Sequence, residues 1–334
     1  MRKNEALLLA GDIGGTNSRL ALFENAWQSL QKVKEQTYPS SRYDSLEDIA
    51  ADFLADVERP IVSACFGVAG PVREGRCQTT NLPWWLDAGE LARRLNIGQV
   101  ILLNDLEAMA YGLLALPDAD FVELNPEALP GRGNRSVVAA GTGFGEAILY
   151  WDGQSHQAIA TEGGHADFAP NTPEQDALLV FLRGVYSGHV SYERLLSGPG
   201  IYNIYQFLRD TERVEESPEL AARIAAGDDP GRLIGRSAVQ SGDRLSRETL
   251  RLFAEILGAE AGNWALKTLA YGGVMIGGGI APKVLPLLQE PAFLQCFRDK
   301  GRFARWVGVL SVKVALNTDA GLLGAASHAS RRLV

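Results

Sequence analysis

The chain has 334 residues, about two domains at ~150 residues each, and its 46% hydrophobic and 22% charged composition excludes a disordered or collagen-like polymer. Forty acidic against 32 basic side chains leave a net charge of −8, which argues against nucleic acid or an anionic membrane as the principal partner. Cys65, Cys77 and Cys296 form no CxxC pair, the four histidines lack zinc spacing, the apolar run Ala6 to Ala10 is too short for a signal-peptide core, and no stretch reaches the ~18 residues of a membrane helix; a cytoplasmic protein is expected.

Taken in order, Leu7–Ala10 and Leu20–Phe23 read as two buried strands of a hairpin turned at Gly14-Gly15, with a third strand over Val33–Tyr38. Leu46, Ile49, Ala50, Phe53, Leu54 and Val57 then fall on one helical face, with Ser45 and Asp48 as a capping box. Ile61–Val68 is a strand, Asp87–Leu95 a helix, Val100–Leu103 a strand and Leu106–Leu116 a helix, giving βββαβαβα. Pro117–Arg135 has the composition of a loop. The pattern then restarts with strands at Val137–Ala140, Ala147–Trp151 and His156–Ala160. Helices are expected over Asp176–Val185, Gly200–Leu208, Pro218–Ala226 and, longest, from just after Asp243 to about Ala270. A strand at Val274–Ile276, a helix at Ala281–Leu288, a strand at Leu310–Val314 and a helix at Gly321–Ser330 close the chain. Two copies of one unit suggest two related lobes around a cleft.

Glycine is over-represented, 36 residues or more than a tenth against about 7% in average usage, and it clusters at strand ends. The clusters are Gly11-Asp12-Ile13-Gly14-Gly15-Thr16-Asn17, Gly141-Thr142-Gly143-Phe144-Gly145, and Gly272-Gly273 through Gly277-Gly278-Gly279. Without a Cβ, successive N–H groups can converge on phosphate oxygens, and Thr16 and Thr142 can add hydroxyl donors. Asp12 could hold a hydrated Mg²⁺. No lysine follows a glycine, so this is no P-loop, and Glu146 stands where a GxGxxG motif needs its third glycine.

Asn104-Asp105 sits where a strand hands over to a helix, so one residue could cap that helix while Asp105 could accept a proton from a substrate hydroxyl. The turn Thr161-Glu162-Gly163-Gly164-His165 could aim Glu162 and His165 at one point. Glu193 reads as a solvated glutamate, paired with Arg194 or nothing, in a short helix stopped by Gly198-Pro199-Gly200. The stretch Asn81-Leu82-Pro83-Trp84-Trp85 could be core packing or a sugar platform, with core packing expected for at least one tryptophan.

In this order Asp12-Ile13-Gly14-Gly15-Thr16-Asn17, Leu103-Asn104-Asp105, Gly141-Thr142-Gly143, Glu162-Gly163-Gly164-His165, Glu193 to Gly200 and Gly277-Gly278-Gly279-Ile280 resemble the bacterial glucokinases, over about Leu7 to Ala326. The resemblance implies an α/β, two-lobed actin/hexokinase-like (ribonuclease H-like) fold. Each lobe would hold a βββαβαβα unit, with helical insertions in the larger lobe. The small α/β domain would comprise 1–115 and 316–334 and the large one 116–315. It further implies ATP-dependent phosphorylation of the 6-hydroxyl of glucose, with Asp105 as general base. Asn104, Glu162, His165 and Glu193 would bind the remaining hydroxyls. Gly14, Gly15, Thr16, Asn17, Gly141, Thr142 and Gly143 would hold the ATP phosphates, with Gly277, Gly278 and Gly279 near the nucleotide and Asp12 reaching Mg²⁺ through water. A homodimer is implied as well. Glu146 departs from the family, which carries an apolar residue there, and the zinc-binding cysteines of the related repressor/kinase group are absent. Another hexose as substrate, a sugar-sensing non-enzyme of the same superfamily, an actin-like ATPase and a glycoside hydrolase are the rival readings.

Overall fold

In the computed structural model, which describes residues 6–26 and 29–331, the chain divides into two compact units, Met1–Asp118 with Asn317–Val334 and Ala119–Leu316. In the first, β1 (Leu7–Ile13), β2 (Asn17–Ala26) and β3 (Ser29–Pro39) form an antiparallel meander. Then come α1 (Leu46–Leu54), β4 (Ile61–Val68), a small hairpin of β5 (Arg76–Gln78) and β6 (Trp85–Asp87), α2 (Ala88–Leu95), β7 (Val100–Asn104) and α3 (Asp105–Ala115). β4 lies parallel to both β1 and β7, so the sheet order is β3-β2-β1-β4-β7. Ser45 caps α1, its Oγ accepting from the Asp48 backbone N–H at 3.2 Å, as the capping box requires. The inward face of α1 (Leu46, Ile49, Phe53) packs on Leu9, Ile13 and Phe66 in the unit's own core. Trp84 is buried and Trp85 is exposed, as expected of one core tryptophan.

The second unit contains β8 (Phe121–Glu123), β9 (Arg135–Ala140), β10 (Phe144–Trp151), β11 (His156–Ala160), α4 (Pro173–Tyr186), α5 (Gly198–Asp210), α6 (Pro218–Ala225), α7 (Pro230–Gln240) and α8 (Arg244–Thr268). It ends with β12 (Val274–Gly277), α9 (Leu285–Leu288), α10 (Pro291–Arg298), α11 (Ala304–Val307) and β13 (Val312–Ala315). Its sheet order is β11-β10-β9-β12-β13-β8, again a meander followed by strands parallel to its first member. The first five positions repeat the topology of the first unit. β8 adds an antiparallel edge strand inside the segment expected to be loop, because Glu123 and Phe121 pair with Lys313 and Ala315. The helix expected over Ala281–Leu288 is a 3₁₀ turn at Ala281–Lys283 followed by the single turn α9. Buried α8 spans this sheet, with Trp264 Nε1 donating to Ala147 O at 3.1 Å and the Thr268 and Ser136 hydroxyls 2.7 Å apart.

The last helix, α12 (Ala320–Arg331), belongs to the first unit, where it packs on α3, β1 and β4. Glycine allows this close crossing: a Cβ on Gly324 would sit 1.7 Å from Ala108 O, and one on Gly112 1.7 Å from Ala320 O.

Candidate active site

In the first unit the predicted residues gather at one edge of the sheet, at the carboxyl ends of β1, β4 and β7. Asp12 pairs across to Gly67 on β4, and Val68 pairs with Asn104 on β7. Asp12 and Asn104 thus lie two strands apart, about 10 Å at the usual strand spacing. Burial pushes the Asp12 carboxyl up, Arg19 pulls it down and Asp319 pushes it up again. Arg19 itself bonds Glu35 (2.7 Å) and Asp319 (2.5 Å), and Lys32 bonds both of those acids. The Gly14–Asn17 turn joins β1 to β2, with Gly14 N–H donating to Asn17 O at 3.0 Å. Ser40 braces it from behind, its Oγ donating to Gly14 O (2.7 Å) and its N–H to Thr16 O (3.0 Å). Glycine is needed at position 15 for space, because a Cβ there would lie 2.5 Å from the Asn81 Cβ.

Both readings of the Asn104-Asp105 pair have a place, on different residues. Asn104 is the buried cap of α3: its Oδ1 accepts from Leu106 N–H (3.0 Å) and Glu107 N–H (3.3 Å), and its Nδ2 donates to Gly70 O (3.2 Å). That leaves the amide one donor hydrogen for a ligand. Asp105 opens the helix, half-buried, with Oδ1 accepting from Leu106 N–H at 2.8 Å. Negative charge is favoured at a helix N-terminus by the helix dipole.

The second unit likewise collects its predicted residues at one sheet edge. The Gly141–Gly143 turn links β9 to β10, with Gly141 N–H donating to Gly143 O at 2.8 Å. The Gly277–Gly279 turn leaves the neighbouring end of β12, where Gly278 takes φ +85 and a Cβ would lie 2.3 Å from Ala140 O. Gly272-Gly273, in contrast, sits at the other end of β12 against Gly133 and Asn134, away from these turns. β11 returns to the same edge and delivers Glu162 through His165, the last three residues forming a 3₁₀ turn in which Glu162 and His165 are exposed.

Glu193 differs from its expected solvated state. Its Oε2 accepts from Phe144 N–H at 3.0 Å, lies 2.5 Å from where a Gly143 Cβ would be, and its Oε1 is 4.0 Å from His165 Nδ1. Glu193 thus ties the second glycine turn to the Glu162–His165 turn. The Gly198-Pro199-Gly200 sequence begins α5 rather than stopping a helix: Ser197 caps it, and Gly198 N–H donates to Gly141 O at 2.9 Å. Ser40 and Asp319 escaped sequence reading. Only the serine near a strand end carries a local signal, and that signal is common.

Among the described residues no cluster of three His, Cys, Asp or Glu could cage a metal. Mg²⁺ does not need one, because it keeps several waters and is held by one or two carboxylates together with substrate phosphates. Asp12, desolvated and beside the first glycine turn, fits that donor set.

The family model described as "Glucokinase" matches residues 9–332. A protein named glucokinase from a Nostoc species is 42% identical over 97% of this chain and 99% of its own length. The crystal structure of a glucokinase from an Antarctic psychrotroph aligns with TM-score 0.79 and 30% identity, covering 97% of this chain and 99% of that one. A Balamuthia mandrillaris glucokinase in complex with glucose aligns with TM-score 0.80 at 24% identity, covering 97% and 94%, a likeness of fold.

Proposed function

Because this chain belongs to the glucokinase family and carries out ATP-dependent phosphorylation of glucose, we propose that Asp105 is its general base and that the two groups of sheet-edge residues divide the substrates between them. The observation that supports this reading is the bond from Phe144 N–H to Glu193, which fastens the carboxylate proposed for sugar to the turn proposed for phosphate. Phosphoryl transfer asks a protein for positioning and charge neutralisation rather than covalent chemistry. Asp105, anchored through Oδ1 to Leu106 N–H, takes the proton of the 6-hydroxyl as the oxygen attacks the terminal phosphorus. Glu162, His165, Glu193 and the remaining donor of Asn104 bind the other hydroxyls, and carboxylates suit that role because each oxygen accepts from a neutral O–H. Each such charge-assisted bond contributes roughly 1.5–3 kcal/mol.

The turns Gly14 to Asn17 and Gly141 to Gly143 hold the ATP phosphates through N–H groups other than those of Gly14 and Gly141, which close the turns themselves, and Gly277 to Gly279 border the nucleotide. Asp12 would hold Mg²⁺ through water, and the ion would supply neutralisation of phosphate charge. The catalytic protein is a cytoplasmic homodimer, with a small domain of residues 1–115 and 316–334 and a large one of 116–315. It binds neither nucleic acid nor membrane. Among the described residues no helix is long and apolar enough to cross a membrane.

Asp105→Asn tests the base. Asparagine keeps an oxygen for Leu106 N–H, so glucose binding should persist while kcat falls about 10²-fold or more. Near-normal turnover in a coupled assay removes Asp105 from that role. The same assay with mannose, fructose and N-acetylglucosamine, with and without ATP, measures breadth of sugar and donor.

A further inference from the structure

Glu146, which follows the second glycine loop, is fully buried on β10, with neither carboxylate oxygen hydrogen-bonded. It lies directly beneath the Glu162–His165 turn: a Cβ on Gly163 would meet its Oε2 at 2.1 Å. Thr161 Oγ1 also bonds its backbone oxygen at 2.7 Å. α8 is fastened to β10 beside it by the Trp264 Nε1 to Ala147 O bond, and fully buried Glu260 of α8 lies close enough to interact with its carboxylate. Glu260 accepts from Asn263 Nδ2 (2.9 Å) and from Lys267 Nζ (3.1 Å), the cation of half-exposed Lys267. Tyr192, next to Glu193, reaches the same cluster through Asn263 Nδ2 (3.5 Å), and Lys300 adds a further positive charge near Glu260.

Two carboxylates facing each other out of water have acceptors and no donor between them. One proton supplies the donor and turns a repulsion into a charge-assisted O–H···O bond. We infer that Glu146 is a positioning residue, which shares a proton with Glu260 and thereby props Gly163 at the height that aims Glu162 and His165 at glucose. The inference rests on the assignment of those two residues as sugar ligands.

Burial, then the charge of Glu260, push the Glu146 carboxyl up to about 8, with Lys267 pulling the other way. The proton is therefore bound below that pH and lost above it. Once it leaves, the like charges separate, and the side open to Glu146 is the exposed turn. Glucose affinity falls, while Asp105, on another sheet, keeps its chemistry.

The test is KM for glucose and kcat as functions of pH in the full-length wild type, Glu146→Gln and Glu260→Gln. In the wild type KM should rise about tenfold through pH 8, the cost of one hydrogen bond to a charged group, with kcat moving far less. Glu146→Gln places a permanent N–H donor opposite Glu260, so its KM should match the low-pH wild type and stay flat. Glu260→Gln removes the like charge and gives Glu146 a donor, while burial still acts on Glu146, so its step should move to lower pH; it serves if the first variant fails to fold. A flat wild-type KM, a step that survives in folded Glu146→Gln, or a step unmoved in folded Glu260→Gln overturns the proton pair. Calorimetric titration with glucose on both sides of the step separates the two ideas: no glucose binding at either pH defeats the site assignment, whereas binding equal at both defeats the pair alone.

Discussion

At the scale of single residues, Gly143 separates fold from function. A methyl group there would collide only with the carboxylate of Glu193, the far end of a flexible side chain, so the turn can survive while Glu193 must leave Phe144 N–H. Gly143→Ala should raise KM for glucose about tenfold, on the scale of one hydrogen bond to a charged group, and leave the melting temperature almost unchanged. An unaltered KM takes Glu193 out of the sugar site. Its neighbour Gly164 is a different case, because a Cβ there would lie 1.9 Å from the backbone oxygen of Phe144. The legibility of these residues varied with how local their partners are. Asn104 and Asp105 could be read because a cap and its helix adjoin in sequence. Glu193 could not, because its donor is 49 positions away.

Elements were legible where the apolar period was long. β4 and α8 follow the expected ranges closely, and Ser45 caps α1 as its pattern requires. β8, of three residues, exists only through its register with β13, and α7 opens with Pro230-Gly231 and carries Gly235, which blurs its helical face. The crossing of α3 with α12 was equally hidden, since a glycine inside a helical pattern does not say what it will lie against. Gly324→Ala forces a methyl group into Ala108 O and should destabilise the first unit by about 1–3 kcal/mol, the usual cost of overpacking. Thermal unfolding reads this directly, and a Tm equal to wild type would mean that the helices separate freely.

For the whole molecule, the repeat of strand order in the two sheets was legible as element order alone, since no residue-level repeat accompanies it. The proposed base works on a hydroxyl held by several sugar-binding groups, whereas water, though smaller, is held by none of them. ATP hydrolysis without sugar should therefore run at a small fraction of the rate of sugar phosphorylation, measured as ADP release with and without glucose. Comparable rates would contradict the scheme. The origin of α12 has another consequence. The first unit is assembled from two stretches of chain, Met1–Asp118 and Asn317–Val334, and the second from the uninterrupted stretch between them. On the ribosome the part translated earliest must wait longest, keeping the apolar seat of Leu322, Ala325, Ala326 and Ala329 unfilled while its neighbour can already mature. Birth order and completion order are thus reversed in this polypeptide.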